Sequence, residues 1–170
     1  TNCARCDDRK PARGSTTRRL GTGDEHEVEA TRVLGWGRLC RTAGSRSDCV
    51  ALDAASGEML GMDRMDEGQR AANAPRQLSG HGCAYWTDGT NERVLFVTTG
   101  YRLVSLDAAT GIPDPDFGDK GVIDLKTDFD QEIDPLTADV GLHATPLVVK
   151  NVIVVGASHT AGDVPTDRAG

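Results

Sequence analysis

Two ten-residue stretches of this chain are nearly the same. Residues 48–57 read DCVALDAASG and residues 102–111 read RLVSLDAATG, 54 positions apart. Self-similarity at a fixed spacing constrains a fold more than any single motif, because each copy must be one structural unit packed on the next. In both copies Asp-Ala-Ala-(Ser/Thr)-Gly follows an apolar run (Asp53–Gly57 and Asp107–Gly111). The Asp carboxylate accepts a hydrogen bond from a backbone N–H further along, which starts a turn. The closing Gly takes the left-handed conformation that sends the chain back antiparallel. Each copy therefore predicts strand, turn, strand. A spacing near the length of a four-stranded unit points to a β-propeller, with one long inter-strand loop expected in residues 111–141.

The remaining signals agree with an all-β class. Val50–Asp53, Arg93–Thr99 and Tyr101–Asp107 are short, apolar and β-branched. TPLVV and VIVVGAS flank Lys150-Asn151 and predict a hairpin with a two-residue turn, in which Asn would tolerate positive φ. Pro113, Pro115 and Pro135 forbid a continuous helix between the second repeat and that hairpin. No window gives an amphipathic helix.

Residues 1–45 differ from the rest. They are charged and rich in Gly, Thr and Arg without periodicity, and they read as an irregular, poorly ordered segment. The basic residues Arg9, Lys10, Arg13, Arg18 and Arg19 read as a solvated tail and not as a nucleic-acid arm. The net charge of −7 argues against a nucleic-acid partner, which needs a basic face. Of five cysteines, Cys3 and Cys6 form a single CxxC, followed by Asp7 and not by the His of a haem-attachment motif. No second pair completes a zinc site. No run approaches the roughly 20 apolar residues of a membrane span, and no signal peptide is visible.

From about residue 46 to residue 170 the chain resembles the pyrroloquinoline quinone (PQQ)-dependent glucose and alcohol dehydrogenases. Four pieces carry the likeness in order: the two repeat turns, AYWTDG, PDFGDKGVIDL and TPLVVKNVIVVGASH. The resemblance implies a fragment, about three blades, of an eight-bladed propeller, the remaining blades being absent from this chain. It implies a periplasmic oxidoreductase that oxidises an alcohol or sugar hydroxyl and passes electrons to a membrane quinone or a cytochrome. PQQ would sit at the hub with a divalent cation, probably calcium, as Lewis acid.

The resemblance also nominates residues. His81 stands where the family usually has an Arg directed at PQQ. His143 and Thr145 occupy a stretch that faces the quinone pocket. Ser158, His159 and Thr160 fall in a loop that touches the PQQ carboxylates. Alcohol-dehydrogenase relatives take a Glu calcium ligand from this loop; here Ala161 stands in its place, and Asp163 is either a substitute ligand or a surface turn residue. Tyr85 and Trp86 read as packing aromatics between blades. After the first repeat Gly61 replaces the Trp that commonly docks one blade on the next. The family's catalytic carboxylate lies beyond the matched residues, so no residue here is assigned as base. The other reading is a non-catalytic propeller-type binding or assembly module.

Overall fold

The computed structural model describes residues 30–32, 38–43, 48–53, 56–75, 77, 82–127, 129–142 and 144–158. Twelve strands and one short helix are found among them, and every strand pairing is antiparallel. The first sheet has the order β1-β2-β3-β4: β1 (Ala30–Arg32), β2 (Arg38–Ala43), β3 (Asp48–Asp53) and β4 (Met59–Arg64). After α1 (Gly68–Ala72) comes a second sheet of order β5-β6-β7-β8: β5 (Cys83–Thr87), β6 (Glu92–Val97), β7 (Arg102–Asp107) and β8 (Val122–Asp124). The chain then forms a long hairpin in two short ladders. β9 (Gly141–Leu142) pairs with β12 (Ala157–Ser158), and β10 (Leu147–Val149) with β11 (Val152–Val154). No described helix is long and apolar enough to cross a membrane.

The two repeats form the same corner in two different sheets. In the first, the Ser56 N–H and hydroxyl donate to Asp53 Oδ1 at 2.8 and 3.0 Å. In the second, the Thr110 N–H and hydroxyl donate to Asp107 Oδ1, both at 2.7 Å. The Gly57 N–H donates to the Asp53 carbonyl and the Gly111 N–H to the Asp107 carbonyl, each at 2.8 Å. φ is 76° at Gly57 and 74° at Gly111, a conformation that costs a side-chain-bearing residue energy and glycine almost none.

Alternation along β6 and β7 gives the second sheet two apolar faces. Phe96, Val104 and Leu106 join Cys83 of β5 and Cys49 of β3 in one core cluster. Val97 and Leu103 point the other way and join Tyr101, Val140 and Leu142, with Ile153 and Val155 of the hairpin packed against them. The second sheet is thus covered by the first sheet on one face and by the hairpin on the other. β10 lies beside β5. Gly82 meets Thr145 at the start of the two strands, and the Trp86 indole N–H donates to the Lys150 carbonyl at 2.9 Å near their ends. β5 and β10 therefore run side by side in one direction, and β2 of the first sheet also lies against β5.

Several expectations change. Residues 30–32 and 38–43, which read as irregular, form two strands, because β2 pairs on β3 and β1 on β2, and the ladder supplies what their own composition lacks. The expected long loop contains the fourth strand of its sheet. Leu106 first bridges Pro113, residues 114–121 loop out, and Val122–Asp124 then resume pairing with β7. A helix is present at Gly68–Ala72. In the hairpin turn the positive φ falls on Lys150 (55°), the first turn residue, and not on Asn151.

Candidate functional site

The entrance of β5 and the middle of the hairpin meet at one end of the sheets. Four residues separate β9 from β10 on the outgoing strand, but only Val155 and Gly156 separate β11 from β12 on the return. The two extra residues break the ladder and shift its register, the signature of a bulge, which re-aims side chains and ends pairing locally. Thr145 lies in this break and is exposed. It packs so closely on Gly82 that a Cβ there would overlap its side chain. On the other side of the break, Ser158 pairs with Gly141, and a Cβ on Gly141 would come within 3.0 Å of the Pro75 ring. A contact at that distance is tighter than ordinary packing, so a side chain at 141 would make Pro75 shift by a few tenths of an ångström, whereas one at 82 would displace Thr145 outright.

Two segments that carried the family likeness thus meet: Gly82, just before AYW, and Thr145 in the broken strand. Of the nominated residues, Thr145 lies at this contact and is exposed, while Ser158 lies further along the hairpin, opposite Gly141, and is half-buried. His81, His143, His159, Thr160 and Asp163 lie outside the described residues. The described part of this region offers two hydroxyls, those of Thr145 and Ser158, and glycines where neighbouring segments approach closely. For the cation the outcome differs: among the described residues no group of three or more His, Cys, Asp or Glu could hold a metal. No chemical step through a metal is derived from them.

Trp86 and Tyr85 take the packing role. Trp86 ties β5 to the hairpin turn, and the Arg93 guanidinium lies 5.0 Å from its ring centre. Tyr85 packs on the cluster around Phe96.

Sequence reasoning missed a network of buried charges beside this region. Glu67, just before α1, has a fully buried carboxylate. It accepts from the Thr98 hydroxyl at 3.0 Å, the Gly100 N–H at 2.7 Å and Arg102 Nη1 at 2.8 Å. Arg70, only 3% exposed, donates to the Gly100 carbonyl and to both oxygens of Asp124. Lys126, 2% exposed, donates to the carbonyls of Pro135 at 3.3 Å and Ala138 at 2.9 Å. Burial alone would push the Asp124 carboxyl up; the Arg70 hydrogen bonds, the Lys126 N–H and the charges of Arg70 and Arg102 outweigh it and hold it below the ordinary range. Burial, reinforced by Arg70, pushes the Lys126 ammonium down, and Asp124, Glu67 and Asp139 offset this only in part. The network encloses Tyr101, whose φ of 67° is unusual for a bulky residue. Its signal in the sequence was faint, since partners 30 and 54 residues apart leave no local pattern.

The sequence matches the family model for the PQQ, glucose/ethanol/alcohol dehydrogenase, beta-propeller domain over residues 12–170. The match begins well before the stretch whose likeness is evident by eye, and it takes in β1 and β2. No curated protein matches the chain.

Proposed function

Because the chain belongs to the PQQ-dependent glucose/ethanol/alcohol dehydrogenase β-propeller family, we propose that it supplies part of the cofactor seat of a quinoprotein dehydrogenase. The substrate is an alcohol or a sugar hydroxyl of the glucose type, and the electrons leave to a quinone or cytochrome in the periplasm. PQQ, when bound, supplies the two-electron acceptor, which no amino-acid side chain provides. The chain's own part is binding and orientation. The Thr145 and Ser158 hydroxyls, with that of Thr160 near Ser158 in sequence, would donate to the carboxylates or quinone oxygens. His81, His143 and His159 would add imidazole donors. Asp163 would offer a divalent cation such as calcium the hard oxygen ligand that it requires. No residue of this chain is assigned to take the substrate proton, so the chain alone is expected to turn over no alcohol or sugar.

The observation that supports this reading is the contact between Gly82, just before β5, and Thr145, in the break of the hairpin ladder. A scaffold needs only strands and turns, and the two-residue excess at the break serves neither. The test is a titration of the full chain with PQQ and calcium, followed by tryptophan fluorescence. Saturable binding is expected, weakened about 3- to 10-fold by Thr145→Val if one hydrogen bond is lost. Absence of binding at millimolar PQQ would overturn the reading.

The second reading, a binding or assembly module without redox chemistry, draws on the apolar side chains left uncovered. Leu147, Val149, Val152 and Val154 are all more than half exposed on one face of the β10–β11 hairpin. Self-association without PQQ binding would favour it.

A further inference from the structure

The buried charges have no part in the proposed redox chemistry, and their placement gives them another task. Glu67 and Arg70 grip the β6–β7 turn at the two peptides that flank one residue: the Gly100 N–H donates to Glu67, and Arg70 donates to the Gly100 carbonyl. Gly100 carries no side chain because a Cβ would strike the Glu67 carboxylate. Past the other end of α1, Asn73 Nδ2 donates to the Leu136 carbonyl at 2.9 Å, and Pro75 packs on Gly141. The carbonyls on either side of Leu136, those of Pro135 and Ala138, accept from Lys126. Three carbonyls of residues 135–138 are therefore held by side chains. This strap runs directly into Val140 and Leu142, which are buried against Tyr101 and Val97, and so delivers β9 to the seat.

We propose that α1 and its flanks are a positioning element: Glu67, Arg70 and Asn73 fix the strap and β9 against the β6–β7 turn and so set the width of the seat. The proposal rests on the quinone reading only for what fills the seat. None of these three residues is placed in contact with the ligand, so each acts through β9 and is a positioning residue, not a catalytic one.

The test uses the full chain with Asn73→Ala, an exposed position whose loss removes the Leu136 bond, and Arg70→Lys, which keeps the charge but not the two-oxygen grip on Asp124. Backbone hydrogen exchange is followed by segment. The expected result is exchange about 3- to 10-fold faster in residues 134–142 and 156–158, as for the loss of one hydrogen bond, with residues 48–53 and 92–97 unchanged. PQQ affinity should fall by a similar factor, more for Arg70→Lys than for Asn73→Ala. Exchange that rises evenly through the chain, or that does not rise in those two segments, would overturn the proposal. If Arg70→Lys fails to fold, Asn73→Ala decides. If the unaltered chain takes up no PQQ, the quinone reading falls, and the exchange pattern still judges the positioning role.

Discussion

The corners at Asp53–Gly57 and Asp107–Gly111 have matching hydrogen bonds and nearly the same φ at glycine, yet they lead to unlike surroundings. After the first, β4 returns at once and lies open, with Met59, Leu60 and Met62 about half exposed or more. After the second, the returning strand is delayed by a loop and ends at Asp124, in the grip of Arg70. A turn motif fixes the direction of the chain. What the next strand packs against decides whether the corner bears on stability and on the site.

The sharpest way to break this comparison is to disable the anchored side. Asp124→Ala leaves the Arg70 guanidinium buried without its counter-charge, and a loss of about 3–5 kcal/mol is expected, read by urea unfolding. A loss below about 1 kcal/mol, the range of a surface ion pair, would erase the distinction between the two sheets. The same contrast has a pH axis. Folding lowers the Asp124 pKa below its unfolded value near 3.8. Its stabilising contribution is therefore complete above that value and is lost as pH falls through the folded pKa. Unfolding midpoints measured from pH 6 down to pH 2 should decline below pH 4, and the decline should flatten in Asp124→Asn.

The corners themselves give the next effect. Asp107 accepts from the Ala109 and Thr110 N–H groups and the Thr110 hydroxyl, and Asp53 accepts from the N–H and hydroxyl of Ser56; the Asp107 corner leads to the anchored strand and the Asp53 corner to the open one. Asp107→Ala is expected to cost about 1–2 kcal/mol and Asp53→Ala about 0.5–1 kcal/mol, compared by thermal melts. Equal losses would mean that surroundings do not matter. The smallest effect is expected at Gly61, where an added Cβ meets nothing within 4 Å. Gly61→Ala should stabilise by roughly 0.5 kcal/mol through the backbone entropy that glycine forfeits in a strand. A loss there would mean that β4 has a neighbour after all.

Much of the fold was legible because its signals are local. The repeat turns, β3, β6, β7 and the β10–β11 hairpin follow from apolar runs bounded by Asp, Gly and a two-residue turn. What stayed hidden depends on distant partners. β2 is a polar strand held between β1 and β3. α1 has five residues, too few for a helical period to register. Glu67, Arg70 and Lys126 look like solvent-facing charges until the chain brings carbonyls and carboxylates from the β6–β7 turn and the strap around them. For the candidate site, the likeness to a family nominated Thr145 and Ser158, while the glycines at close approaches, 82 against Thr145 and 141 against Pro75, carried no signal as single residues.

The interrupted hairpin has one more consequence. Two surplus residues between Leu142 and Leu147 are all that keep its pair of ladders from joining. Deleting any two of those four residues would restore an even count on both arms, and the hairpin could zip shut from its tip to Gly141. The break is thus encoded as spare length, and a two-residue deletion could close it without a substitution anywhere else in the chain.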